Sequence, residues 1–128
     1  MTVAWAFLAE AAATVDNKLN LSGGVLSRFA VGPDRLARFV LVVLTEPDAD
    51  GSDRQVDVEI RPPTFDEPVR KRFQVPAAAI GKFPGFAFFD IDVILPVDGR
   101  WVILVSGGAG TISIPLVVGR DEVEWDSQ

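Results

Sequence analysis

Residues 88–119 constrain the fold more than any other part of this chain. They read FFDIDVILPVDGRWVILVSGGAGTISIPLVVG, which is three apolar runs separated by Pro-Val-Asp-Gly and by Ser-Gly-Gly-Ala-Gly. Runs of about eight residues that are rich in β-branched side chains and bounded by Gly and Pro turns are typical of β-strands. The segment therefore predicts a meander of antiparallel strands, and it contains no motif that indicates catalysis.

The composition excludes many kinds of active site. The 128 residues include no cysteine, no histidine and no tyrosine. Without Cys and His the chain lacks disulfides, thiolate nucleophiles, the commonest general acid–base group and the commonest metal ligands. We therefore predict a protein that is not an enzyme and that uses no cofactor.

The charge and the hydropathy limit the partners and the location. The formal net charge is −6, which repels the phosphate backbone of nucleic acids at long range. No run reaches the roughly 18 apolar residues that span a bilayer. The first ten residues lack the basic start of a signal peptide, and they include Glu10. These features predict a cytoplasmic protein that binds neither nucleic acid nor membrane.

The strand pattern continues through the rest of the chain. Alternation in Gln55–Arg61 places Val56, Val58 and Ile60 on one face. Residues 69–75 are charged and flanked by proline, as edge strands often are. Residues 11–14 predict a short helical or irregular crossing, because alanine favours helices, and residues 77–80 suggest one helical turn. The other predicted strands are residues 3–9, 18–22, 25–31 and 36–46.

This pattern predicts an all-β protein, an antiparallel β-sandwich of about eight or nine strands. A chain of this length forms one domain. We predict that residues 1–119 form that domain and that residues 120–128 form an acidic C-terminal tail.

Two segments resemble a family of uncharacterised bacterial β-sandwich domains. The first is the opening, Ala6-Phe-Leu-Ala-Glu10 with Asp16-Asn-Lys-Leu19 and a Gly-Gly bend, and the second is the ending, Leu95-Pro-Val-Asp-Gly-Arg-Trp101 with its hairpin. The resemblance implies an immunoglobulin-like or C2-like architecture without an assigned activity. The chain departs from that family's pattern at Trp101, where the family pattern has tyrosine.

The loop of residues 48–53 is the best candidate for chemistry. Its carboxylates Asp48, Asp50 and Asp53 are oxygen ligands of the kind that calcium prefers. The spacing differs from that of an EF-hand, and the simpler interpretation is an Asp/Gly hairpin turn. A C2-like calcium site needs ligands from a second loop, for which Asp16 and Asp98 are candidates.

Asp90 and Asp92 suggest a second chemical interpretation, a hydrolase that uses carboxylates alone. Alternate residues of a strand lie about 7 Å apart, a separation that suits glycoside hydrolysis. The simpler interpretation is a solvated strand face, and the same applies to Asp57 and Glu59. The basic run of residues 70–72 is interpreted as a solvated strand face or as a contact for an anion.

The glycines of residues 107–110 predict a hairpin turn. A phosphate-binding loop leads into a helix with a Gly-Lys-Ser or Gly-Lys-Thr motif, whereas a strand pattern follows here.

A phenylalanine cluster marks a candidate partner surface. Phe83, Phe86, Phe88 and Phe89 occur within seven residues, more than one strand face can bury. Either Phe83 and Phe86 cover one open end of the sandwich, or the cluster is exposed and binds a partner. Two of the tryptophans, Trp5 and Trp101, are predicted in the core, and the third, Trp125, is predicted as a contact residue.

The sequence as a whole favours a non-enzymatic protein-interaction or assembly module. The predicted partner surface is Phe83, Phe86 and Phe88, and unpaired strand edges offer a second way to bind. The partner is another protein or a second copy of the chain. The alternatives are a calcium- or ligand-binding C2-like module and, least favoured, the carboxylate-only hydrolase.

Overall fold

A computed structural model describes residues 1–47, 54–79 and 85–120 of the chain. These residues form ten strands and one short 3-10 turn, Ala77–Ala79. The strands are β1 (Thr2–Ala9), β2 (Ala11–Val15), β3 (Lys18–Ser22), β4 (Arg28–Val31), β5 (Leu36–Glu46), β6 (Gln55–Arg61), β7 (Val69–Gln74), β8 (Gly85–Ile94), β9 (Gly99–Gly107) and β10 (Gly110–Arg120).

The strands form three sheets. One sheet has three strands in the order β1-β5-β8, the second has five in the order β4-β10-β9-β6-β7, and β2 pairs only with β3. All pairs are antiparallel except that of β4 with β10, which is parallel. The all-β prediction is confirmed, but the described residues form ten strands rather than eight or nine, and one pair is parallel rather than antiparallel.

The core lies between the three-stranded and the five-stranded sheet. Because side chains alternate across a strand, one face of each sheet supplies it. On β6 these residues are Val56, Val58 and Ile60, and on β8 they include Ile91 and Val93. The alternation that the sequence predicts for β6 is confirmed.

The β2–β3 hairpin packs on the outer face of the three-stranded sheet. There Ala12 and Leu19 cover a second apolar cluster around Val40 and Val42. The prediction of a helical or irregular crossing at residues 11–14 is wrong, because β2 pairs along its whole length with β3. Asp16 and Asn17 form the turn with positive φ angles of 52° and 62°, and strand pairing overrides the helix propensity of alanine.

Two further predictions differ from the structure. Of residues 25–31, only Arg28–Val31 is a strand. The meander is also interrupted, since β8 pairs with β5 in one sheet while β9 and β10 form a hairpin in the other.

Arg35 binds the segment between β8 and β9, where the chain passes from the three-stranded to the five-stranded sheet. Its Nε donates a hydrogen bond of 2.8 Å to the carbonyl oxygen of Leu95, and its guanidinium lies 2.7 Å from a carboxylate oxygen of Asp98. Arg35 itself has a φ of 60°, so a turn before β5 and the turn after β8 are fixed together.

In the described part of the chain the only helix is the three-residue turn, and no helix there is long and apolar enough to cross a membrane.

Candidate functional site

The acidic loop with Asp48, Asp50 and Asp53 lies outside the described residues. Of the two carboxylates considered as further calcium ligands, Asp98 is bound to Arg35 just before β5 begins. The loop follows the other end of this eleven-residue strand, roughly 35 Å away at the usual rise per residue. Asp98 is therefore remote from the point where β5 ends and the loop begins. Within residues 1–47, 54–79 and 85–120, no group of three or more carboxylates could hold a metal ion.

Two arginines of the basic run on β7 pair with carboxylates of the chain itself. Arg72 lies opposite Asp57 and Arg70 opposite Glu59 in the register of β6 and β7. The Arg72 Nε donates to Asp57 at 2.9 Å, and the Arg70 Nε donates to Glu59 at 3.2 Å. Arg61 also donates to Glu59. We call these five residues the charge ladder, and it lies on the outer face of the five-stranded sheet at its β7 edge.

The ladder changes the acidity of its carboxyl groups. Hydrogen bonding by Arg72 lowers the pKa of Asp57 below its ordinary value of 3.8. Hydrogen bonding by Arg61 lowers the pKa of Glu59 below 4.5. Both carboxylates are held in the charged state by neighbouring cations, an environment that suits neither a proton donor nor a general base near neutral pH.

Asp90 and Asp92 lie on the exposed outer face of β8. Asp92 lies 3.5 Å from Arg38 on β5, and both side chains are mostly exposed. With Glu10 these residues line a shallow depression of about 400 Å³. Three carboxylates therefore face one arginine, which leaves an excess of negative charge.

The glycine-rich segment is the turn between β9 and β10, as predicted, and β1 packs tightly against it. A side chain on Gly110 would place its Cβ 2.1 Å from the backbone oxygen of Val3, and one on Gly108 would place it 2.3 Å from that of Met1. Glycine is required because the two backbones approach each other closely.

A β-bulge follows this contact. The register of β1 with β5 shifts between Val3 and Trp5. Val3, Ala6 and Leu8 face the core, so the inward residues on the two sides of the bulge are separated by three positions rather than two. Because a bulge reverses the alternation of a strand, Trp5 points outward.

The prediction that Trp5 belongs to the core is therefore wrong. Its side chain is 65% exposed, whereas Trp101 is 2% exposed and lies in the core as predicted. In simple alternation Trp5 would share the face of Val3, and nothing in the sequence of β1 marks the bulge. The third tryptophan, Trp125, lies outside the described residues with nearly all of the predicted acidic tail.

Trp5 begins an apolar row on the outer face of the three-stranded sheet. It lies directly opposite Leu44, and Leu44 lies directly opposite Phe86. Leu44 and Phe86 are half-buried. We call Trp5, Leu44 and Phe86 the outward row.

A groove of about 440 Å³ lies beside the Phe86 end of the row. The described residues around it are uncharged: Thr14 and Asn17 of the β2–β3 hairpin, Pro76, Ala78 and Ala79 at the 3-10 turn, and Gly85 and Phe86. An apolar side chain is the kind of group that such a groove accommodates.

The phenylalanine cluster is divided by the structure. Phe86 and Phe88 point outward, Phe88 packs against the small cluster under the β2–β3 hairpin, and Phe83 lies outside the described residues. Phe89 points inward and stacks on Phe73, with ring centroids 4.7 Å apart. Of the predicted partner surface, Phe86 adjoins the groove and Phe88 is partly covered.

No family model matches this chain, and no curated protein is similar enough to be identified as a relative. The site therefore has to be interpreted from its own geometry.

Proposed function

We propose that this protein is a non-enzymatic interaction module that binds a partner protein through the outward row and the adjoining groove. The observation that carries the proposal is the outward orientation of Trp5, which a bulge removes from the core. An exposed tryptophan loses apolar burial, while tryptophan is among the residues that contribute most to binding at interfaces.

The surroundings of the row indicate the chemistry of the partner. The described lining of the groove is uncharged, so the partner segment inserts an apolar side chain there. The net charge of −6 attracts basic proteins at long range. We therefore infer a protein segment with an apolar anchor flanked by basic residues.

The finer predictions from the sequence remain part of this proposal. They are an immunoglobulin-like or C2-like arrangement of the sandwich, membership of a bacterial β-sandwich family and a cytoplasmic location. The all-β architecture with two packed sheets supports the first of them.

The proposal is tested by comparing capture by two variants. Trp5→Ser removes the anchor, and Val117→Ser removes an exposed apolar side chain from the outer face of the other sheet. Both variants and the natural chain are immobilised and exposed to an extract of the source cells. We expect a protein that the natural chain and Val117→Ser retain and that Trp5→Ser loses.

The captured protein is then purified and titrated by calorimetry. Loss of a central tryptophan is expected to weaken binding at least about tenfold, which corresponds to about 1.4 kcal/mol. Equal capture by the two variants, or no captured protein at all, would contradict the proposal.

A further inference from the structure

Among the strands of residues 1–47, 54–79 and 85–120, β7 and β8 are edge strands on the same side of the two packed sheets. β7 is the last strand of the five-stranded sheet and β8 the last strand of the three-stranded sheet. The stacked rings of Phe73 and Phe89 join the two strands across the core. A free edge presents unpaired N–H and C=O groups, which pair readily with another strand.

The hydrogen-bond pattern identifies the groups that are unpaired. Leu95 donates to the carbonyl of Arg35, and alternate pairs of an antiparallel ladder are hydrogen-bonded. The inward-facing residues of β8 therefore bond to β5, and the outward-facing residues direct their backbone groups away from it. These include Asp90 and Asp92.

The same reasoning applies to β7. Val75 donates to the carbonyl of Arg54, so the inward-facing residues of β7 bond to β6. Arg70 and Arg72 direct their backbone groups toward the free edge. On both edges the available backbone groups thus include those of charged residues whose side chains lie on the outer face.

The two edges run in opposite directions. Near its last residue, β7 pairs with β6 through Gln74 and Gln55, and at its first residue β8 pairs with β5 through Gly85 and Thr45. These two pairs lie at the same end of the molecule. The backbone of Gln55 and the side chain of Val3, which pairs with Thr45, both lie against Gly107. β7 therefore runs toward this end and β8 away from it. The ring stack places Phe73 and Phe89 at about the same level.

A two-fold axis can run parallel to the strands, beside the β7 and β8 edges and midway between the two sheets. Rotation about this axis places β7 of one copy beside β8 of the other. Rotation does not change the position of a residue along the axis, so Phe73 of one copy lies beside Phe89 of the second. Counting outward from this pair, Arg72 lies opposite Asp90, and Arg70 lies opposite Asp92. In the part of the chain that the structure describes, the backbone groups of all four residues point away from their own sheets, and their side chains lie on one continuous outer face.

We propose that two copies of this chain associate through reciprocal antiparallel pairing of β7 with β8, with Arg72 facing Asp90 and Arg70 facing Asp92 across both seams. This contact is separate from the outward row and goes beyond the proposed function. Because the interface closes by symmetry, it yields a dimer rather than a filament.

The charges select this pairing over the alternatives. The charge ladder has three arginines and two carboxylates, whereas the depression on β8 has three carboxylates and one arginine. Like charges directly opposite each other destabilise a strand pair, which opposes β8 pairing with β8 and β7 with β7. The acidic sequence of residues 121–128 is likewise a poor match for β8.

The chain itself contains a precedent for this register. On β6 the carboxylates Asp57 and Glu59 are two residues apart, and Arg72 and Arg70 of the neighbouring strand bind them. β8 repeats the spacing of the carboxylates, and the described residues place a strand only on its β5 side. The same Arg-x-Arg pattern of a second copy supplies that strand, and its exposed guanidinium groups can bind carboxylates on both sides.

The test uses two variants that should each be monomeric. The first carries Asp90→Lys and Asp92→Lys. The second inverts all five residues of the ladder with Asp57→Lys, Glu59→Lys, Arg61→Glu, Arg70→Glu and Arg72→Glu, which keeps opposite charges paired within the chain. Analytical ultracentrifugation over a concentration series measures the dimer of the natural protein and of each variant.

We expect each variant to weaken its own dimerisation at least about tenfold. Mixing the two should restore the dimer, because the lysines introduced on β8 of the first variant then face the glutamates introduced on β7 of the second. At the other seam the natural arginines and aspartates still meet. A natural chain that stays monomeric at high concentration, or a mixture that remains monomeric, would overturn the proposal.

A second measurement fixes the register and does not depend on charge. The chain has no cysteine, so Arg72→Cys and Asp90→Cys can be introduced in separate chains without interference. The mixture should form an intermolecular disulfide on mild oxidation, since directly opposed residues lie within bonding range. A mixture of Arg72→Cys with Asp92→Cys should crosslink much less. Preferential crosslinking of Asp90→Cys with itself would show β8–β8 pairing and overturn the proposal.

Trp5→Ser separates the two proposals. It should leave dimerisation unchanged while it abolishes partner capture, so failure of one proposal can be recognised without failure of the other.

Discussion

The same sequence pattern has opposite surroundings on the outer faces of the two sheets. β6 and β8 each carry two carboxylates two residues apart, Asp57 with Glu59 and Asp90 with Asp92. On the five-stranded sheet the pair is bound by arginines of the neighbouring strand. On the three-stranded sheet it lies at a free edge with one loosely paired arginine, Arg38, at 3.5 Å from Asp92.

The difference shows that the neighbouring strands, and not the spacing of two carboxylates, determine whether their negative charge is compensated. Where the adjacent strand supplies cations, the carboxylate pair is bound within the chain. On β8 the described residues place only Arg38 beside three carboxylates, so the negative charge there is in excess. The apolar groups of the three-stranded sheet follow the same distinction, because the β2–β3 hairpin covers Val42 and leaves Trp5 exposed.

The tryptophans provide the largest test of this contrast. Trp101 lies in the core and donates a hydrogen bond of 3.0 Å from Nε1 to the carbonyl of Val97. We expect Trp101→Ala to lower the free energy of unfolding by about 3–5 kcal/mol. Trp5→Ala should lower it by less than about 1 kcal/mol. Denaturant unfolding followed by far-ultraviolet circular dichroism measures both, and similar losses would show that Trp5 belongs to the core after all.

The next test concerns the contact that precedes the bulge. Gly110→Ala forces a Cβ against the backbone oxygen of Val3, and we expect a loss of about 1–3 kcal/mol because the backbone has to move. Gly32 is the matched control, since the closest atom to an added Cβ is a side-chain oxygen of Asp34 at 3.7 Å. Gly32→Ala should change stability by no more than about 0.5 kcal/mol.

The same variant examines the orientation of Trp5. If the turn supports the bulge, Gly110→Ala should also alter quenching of Trp5 fluorescence by acrylamide, measured in chains where Trp101 and Trp125 are replaced by phenylalanine. An unchanged quenching constant together with unchanged stability would show that the glycine contact has no part in exposing Trp5.

Local pattern predicted much of the fold but little of the site. The bounds of β5 and β6 and the inward residues of β6 follow from alternation and from flanking turns, which are local properties. The exposure of Trp5 could not be predicted, because a bulge moves one residue without changing the composition of the strand. The placement of β8 beside β5 was missed because strand partners are chosen by tertiary contacts rather than by adjacency along the chain.

The ion pairs of the basic run could not be predicted from the sequence for the same reason. Arg70 and Arg72 alternate as any solvated edge does, and only the register of β7 with β6 places Asp57 and Glu59 opposite them. The sequence suggested an anion contact as one alternative, and the structure shows that the anions belong to the chain itself.

The smallest expected effect is the dependence of the charge ladder on pH. The fold lowers the pKa of Asp57 and of Glu59, so the folded state binds fewer protons than the unfolded state as the pH falls toward their ordinary values. Their contribution is therefore present above those values and is lost as the pH decreases through the lowered pKa values.

We expect stability to decline below about pH 5, and Asp57→Asn with Glu59→Gln should make this decline shallower. Because the pairs are exposed, high salt should reduce the difference between the two chains. Urea titrations from neutral to acidic pH, at low and high salt, measure both effects. Identical pH dependence of the two chains would mean that the ladder neutralises β7 without stabilising the edge, and its contrast with β8 would then be one of charge alone.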